Sequence, residues 1–168
     1  DYWVVKVSAT GIIEWQNTIG GNNYDYFQSI QQTSDGGYIL GGSSSSGISG
    51  DKTEISQGVN DYWVVKVSAT GIIEWQNTIG GSNNDYLASF QQTIDGGYIL
   101  GGTSSSGISG DKTDVTQGVN DYWVVKISPI GTIQWQRTIQ GNNYDYLRSI
   151  QLTTDGGYML GGYSDSDI

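Results

Sequence analysis

Apolar and polar side chains alternate along this chain in short runs, each closed by glycine, asparagine or serine. Tyr2-Trp3-Val4-Val5-Lys6-Val7 is β-branched and aromatic and predicts a first strand. The turn Ser8-Ala9-Thr10-Gly11, with Gly11 at the positive-φ position, leads to a second strand over Ile12 to Ile19. A third strand is expected from about Tyr26 to Gln32 and a fourth from Tyr38 to about Ser43, hinged on Asp35-Gly36-Gly37. In the first strand Trp3, Val5 and Val7 occupy one face and Tyr2 and Val4 the other, so the sheet is expected to be covered on both sides.

The unit then returns. Asp35-Gly36-Gly37-Tyr38 reappears as Asp95-Gly96-Gly97-Tyr98 and Asp155-Gly156-Gly157-Tyr158, a period of 60 residues. Residues 1–60 and 61–120 differ at ten positions only, namely 22, 24, 27, 28, 30, 34, 43, 54, 55 and 56. Four short antiparallel strands per repeat, with both faces apolar, predict an all-β fold of the β-propeller type with four-stranded blades; a β-solenoid is the rival. If the third strand is innermost, residues 1–24 are an outer half-blade, 25–84 and 85–144 are whole blades, and 145–168 are an inner half-blade. Three blades' worth of chain falls below the roughly four to eight blades of closed propellers. The expectation is therefore that the ends pair, either between two copies to give a six-bladed homodimer or with further blades of a longer parent chain.

The strings DYWVVK, W-x-x-TIGG, QQTSDGGYILGGSS and SGDKTE resemble repeats of large secreted or surface proteins of Bacteroidetes, flavobacteria in particular, many exported by type IX secretion. The resemblance spans essentially the whole chain. It implies a propeller-like repeat domain and an extracellular or cell-surface location, and little about activity.

Composition narrows the chemistry. A net charge of −10 repels phosphate backbones, so nucleic acid is not an expected partner, and no apolar run approaches the ~20 residues of a membrane-spanning helix. Cysteine is absent, which removes disulfides and thiolate sites, and histidine, the commonest general base, is absent too. Carboxylates such as Glu14, Asp25 and Asp35 recur in every copy or give way to a polar residue, as Gln134 does. A catalytic pair needs differentiated neighbours. A noncatalytic scaffold or adhesion module is the leading expectation; a lectin-like propeller is the alternative and a glycan-acting enzyme the third reading.

By strand parity, the Asp-Gly-Gly turns lie at one end of the ring, and the crossings near Gly20–Asp25 and the long loops Ser44–Asn60 at the other. Loops on a rigid scaffold favour binding sites. Candidate glycan contacts there are Asn22, Tyr24, Asp25, Asn83, Asp85, Asn143, Tyr144 and Asp145, which combine stacking and hydrogen-bonding groups; capping of a tight crossing is the simpler role. Asp51, Glu54 and Asp61, with Asp111, Asp114 and Asp121 in the second loop, supply oxygens of the kind Ca²⁺ takes, although the spacing lacks the density of an EF-hand and Lys52 intrudes. No cofactor other than this possible Ca²⁺ is expected. The tryptophans at 3, 15, 63, 75, 123 and 135 are expected between blades, and Lys6, Lys66 and Lys126 are expected to bury their stems while keeping their charges in water.

Overall fold

The computed structural model describes residues 1–167, which form twelve antiparallel strands. They are β1 Tyr2–Val7, β2 Ile13–Ile19, β3 Asp25–Gln32, β4 Tyr38–Ser44, β5 Asp61–Val67, β6 Ile73–Ile79, β7 Asp85–Gln92, β8 Tyr98–Ser104, β9 Asp121–Ile127, β10 Ile133–Ile139, β11 Asp145–Leu152 and β12 Tyr158–Ser164. They pair as β1-β2, β3-β4-β5-β6, β7-β8-β9-β10 and β11-β12, so each four-stranded sheet joins the second half of one repeat to the first half of the next. This is a propeller-type repeat of four-stranded blades. The innermost strands are β3, β7 and β11: β7 packs against β3, β4 and β5, and β11 against β7, β8 and β9.

The turns follow from the glycines. Gly11, Gly71 and Gly131 adopt φ of 79°, 80° and 87°, and Gly36, Gly96 and Gly156 adopt 86°, 81° and 87°, a region that residues with a Cβ rarely enter. In the Asp-Gly-Gly turn, the Asp35 carboxylate accepts the Gly37 N–H (2.9 Å) and the Thr33 hydroxyl proton (2.5 Å), an arrangement repeated by Asp95 and Asp155.

Between blades the core is apolar and continuous. Ile39, Tyr62, Val64 and Ile79 of one sheet meet Leu87, Phe90, Leu100, Trp123 and Val125 of the next. Tyr2, Val4 and Ile19 likewise cover Leu40, Trp63, Val65 and Val67. Close approach requires glycine at the contact: a Cβ on Gly41 would lie 2.6 Å from the Phe90 ring, and one on Gly101 2.3 Å from Ile150. Two of the tyrosines at the start of first strands donate their hydroxyls across the junction, Tyr2 to the Trp63 carbonyl and Tyr62 to that of Trp123, both at 3.0 Å.

Two expectations need correction. Double-sided burial holds for β5 and most of β9, yet β1 is covered on one face only: Trp63 and Trp123 are 0% exposed and Trp3 is 67% exposed. Lys66 and Lys126 do not keep their charges wet, whereas Lys6 stays partly exposed. Lys66 is buried and its ammonium meets Asp35 (3.0 Å), Glu74 (2.8 Å) and the Val67 carbonyl, while Lys126 meets Asp95 (2.9 Å) and Gln134 (3.0 Å). Each lysine lies opposite the Asp-Gly-Gly turn of the strand beside it, and that neighbour lies 31 residues earlier in the chain. Lys6, which has no such turn beside it, pairs with Glu14 alone.

Candidate functional site

The loop-bearing end is built on three aspartates that open the inner strands. The Asp25 carboxylate accepts the Gly21 N–H (2.8 Å) and the hydroxyls of Ser44 and Ser46; Asp85 accepts Gly81 N–H (2.7 Å) and Ser106; Asp145 accepts Ser166. All three residues are buried and tie crossing to loop. The asparagines hold loop backbone: Asn22 accepts the Gly47 N–H, and Asn83 and Asn143 donate to the carbonyls of Ser105 and Asp165. Of the sequence-derived glycan contacts Asn22, Asn83, Asn143, Tyr24 and Tyr144 are exposed, and each of the two tyrosines stacks on the tyrosine two residues along, Tyr26 at 5.9 Å and Tyr146 at 6.1 Å.

The carboxylates considered for Ca²⁺ are drawn to separate backbone donors. Asp51 accepts Gly20 N–H, Glu54 accepts Thr78 N–H, and Asp61 accepts Gln57 and Gly58 N–H; Asp111, Asp114 and Asp121 accept Gly80, Thr138 and Gln117 N–H. Among the described residues no three acidic groups gather as a metal site. A lysine ammonium lies in their midst instead. Lys52 and Lys112 are 1% exposed, donating to the carbonyls of Glu54 (2.5 Å) and Asp114 (2.6 Å), and Lys112 also to the Thr138 hydroxyl. Burial lowers both lysine pKa values, opposed by the charges of Asp61 and Asp25 around Lys52 and of Asp85 and Asp121 around Lys112. Their long stems carry a cation into the loop-bearing end of each four-stranded blade.

These buried carboxyls set a pH dependence. Burial pushes Asp61 up to about 6 and raises Asp85, Asp111 and Asp121. A carboxyl that holds its proton more tightly when folded contributes stability at low pH, and that contribution is lost as pH rises through the folded value. Asp35 and Asp95, each held at about 2 first by its neighbouring threonine hydroxyl, act oppositely: their contribution is present above the unfolded value and is lost as pH falls toward 2. The expected melting temperature is therefore highest at about pH 4–5 and declines toward neutrality. Calorimetry from pH 3 to 8 checks this, and Asp61→Asn flattens the neutral limb; a melting temperature rising steadily from pH 4 to 8 contradicts it.

A cavity lies in front of the inner strands, about 230 Å³ in volume and lined by Tyr26, Gln28, Tyr86, Ala88, Tyr146 and Arg148 among others. Each inner strand carries a β-bulge at its third or fourth residue, where pairing skips Gln28, Ala88 and Arg148 and turns those side chains out of the ladder. Asn60 donates to Asn84 and to the Tyr86 hydroxyl, and Asn120 to the Tyr146 hydroxyl, which fixes two of the rings. The Arg148 guanidinium lies 5.2 Å from the centre of the Tyr163 ring, which stacks on Tyr146 at 4.9 Å. Sequence reasoning passed over Tyr26, Tyr86, Tyr146, Tyr163 and Arg148. The available signal was that position 28 differs between copies; what it faces depends on a bulge that no residue type announces.

No family model matches the chain, and no curated protein matches it.

Proposed function

We propose that the chain is a noncatalytic scaffold module, a run of propeller blades serving as a spacer or adhesive part of an extracellular or bacterial cell-surface protein. What supports the reading is that acidic and basic groups do the same structural work in successive copies: Asp25, Asp85 and Asp145 tie crossings, Lys52 and Lys112 hold the long loops, and Lys66 and Lys126 lock turns. Groups held this way are unavailable as acid, base or nucleophile. The surface setting rests on the resemblance of the repeats.

A second reading has a specific observation in its favour. The cavity before the inner strands gathers the repeated tyrosines 26, 86 and 146 with an arginine at a position that differs in every copy, and aromatic faces with nearby hydrogen-bonding groups are what saccharides stack on. A panel of neutral and acidic polysaccharides separates the readings. The scaffold reading expects neither turnover nor binding tighter than about 1 mM, or −4 kcal/mol. Micromolar binding that Tyr86→Ala and Arg148→Ala each weaken tenfold establishes a lectin instead, and release of reducing ends establishes an enzyme.

A further inference from the structure

Tyr26, Tyr86 and Tyr146 hold the same position on β3, β7 and β11, and all three line the cavity in front of those strands. Each of the strands is paired with its own hairpin partner, β4, β8 or β12. The rings are held in place. The Tyr86 hydroxyl accepts the Asn60 amide N–H (3.1 Å) and donates to Asn84 Oδ1 (3.1 Å), and the Tyr146 hydroxyl accepts the Asn120 amide N–H (3.0 Å). Tyr26 lies nearly parallel to Tyr24 and Tyr146 to Tyr144, with interplanar angles of 15° and 2°. Aromatic faces fixed in this way lose little side-chain freedom when a flat group stacks on them.

The bulge residue two positions after each tyrosine varies while the tyrosine does not: Gln28, Ala88 and Arg148. Arg148 brings a cation to the cavity, and none of the described lining residues is acidic, although the chain has 17 acidic residues and a net charge of −10. The lysines are engaged elsewhere, by Glu14, the turn aspartates and the loop carbonyls. Among the described residues the Arg148 guanidinium donates to the Tyr163 hydroxyl (3.3 Å) and pairs with no carboxylate, so its remaining N–H donors are open to a ligand. The other polar groups of the lining are neutral. The Gln28 amide and the Ser43 and Thr103 hydroxyls each both donate and accept, which suits a ligand made of hydroxyls.

The geometry points to a uronic acid residue of an otherwise neutral polysaccharide as the ligand of this cavity, its ring on the tyrosine faces and its carboxylate in the fork of the Arg148 guanidinium. The guanidinium is planar and offers parallel N–H donors, which a carboxylate accepts as a pair. One cation matches one carboxylate, whereas a polymer charged on every unit is repelled by the acidic surface around the site. A volume of about 230 Å³ lies below the roughly 300–1,000 Å³ of sites for drug-sized ligands, so one ring enters at a time. The inference deepens the adhesive sense of the scaffold reading, on which it rests: an open single-ring contact holds no tighter than about 1 mM, the limit that reading sets.

NMR titration of the intact chain with methyl glucuronide and with methyl glucoside, which lacks only the carboxylate, tests the assignment. The glucuronide is expected to shift the ring resonances of Tyr26, Tyr86 and Tyr146 with half-saturation at about 1–10 mM, and the glucoside to bind roughly fivefold more weakly. Arg148→Gln removes the difference, and Arg148→Lys, a charge without the fork, keeps part of it. Arg137→Gln takes the same charge from the exposed side of β10 and leaves the difference intact. Arg148 is exposed, so its variants keep the parent melting temperature. Equal binding of the two glycosides, a preference that survives Arg148→Gln or is lost equally in Arg137→Gln, tighter binding of glucoside 6-sulfate, or no shift up to about 50 mM overturns the proposal and leaves the scaffold reading standing. Cleavage of the glucuronide removes the scaffold reading and keeps the ligand assignment, and micromolar binding of it keeps the assignment within the lectin reading.

Discussion

Trp63→Ala and Trp123→Ala are each expected to destabilise the fold by about 3–5 kcal/mol, the range for removing a large aromatic from a packed core. For a chain of this length the melting temperature then falls by on the order of 10 °C. Trp63 is fully buried, tilted against Tyr2 at 4.8 Å, and its indole N–H donates to Gln76 (3.1 Å); Trp123 repeats this with Tyr62 at 5.0 Å and Gln136 at 3.0 Å. Truncation leaves a cavity between two sheets that are both anchored by their own ladders and cannot collapse into it. Trp3→Ala removes the same residue from the same strand position and is expected to cost under about 1 kcal/mol in a single copy, because the ring is mostly in water. Thermal melts of the three variants give the comparison. Equal losses at all three positions would show that the intrinsic strand preference of tryptophan, and not its place between blades, carries the effect.

Gly102→Ala is the second large effect, expected to cost about 3 kcal/mol by overpacking. An added Cβ would stand 1.9 Å from the Tyr86 carbonyl oxygen and 2.7 Å from the Tyr62 hydroxyl. Neither atom can retreat: the first belongs to a strand paired with β8 at the adjoining residue, Tyr86↔Thr103, and the second is held by the Trp123 carbonyl. Gly102 is not at positive φ, so the cost is steric and owes nothing to backbone preference. Gly42→Ala meets the same obstruction from Tyr26. Gly161→Ala, with open space at its Cβ, is expected to change the stability of a single copy by less than about 0.5 kcal/mol. Denaturant unfolding of Gly102→Ala and Gly161→Ala side by side tests the pair. A Gly161→Ala loss as large as that at Gly102 would mean that strand flexibility, and not the neighbouring backbone, decides.

How far the amino-acid sequence carries is clearest at individual residues. The alternation Tyr2-Trp3-Val4-Val5 and the glycines at 11 and 36 specify strand and turn locally, because side chains alternate across a pleated strand and only glycine enters positive φ without strain. The three Asp-Gly-Gly turns at a fixed period then specify repeated sheets, with no distant information needed. The candidate glycan contacts were less legible. Asp25 and Tyr24 are neighbours in the chain, yet one is enclosed by Ser44 and Ser46 and the other faces solvent, a difference set by a loop that returns twenty residues later.

The sequence by itself determined the elements, their period and the position of the turns, since all of these depend on contacts within a few residues. Only the tertiary structure decided what each repeated residue does. Trp3 and Trp63, or Lys6 and Lys66, are the same residue in the same strand, and the difference between them is whether a neighbouring blade stands against that face and a turn aspartate against that ammonium. Burial and ion pairing are properties of the adjacent sheet, and a repeat cannot encode within itself whether it has a neighbour.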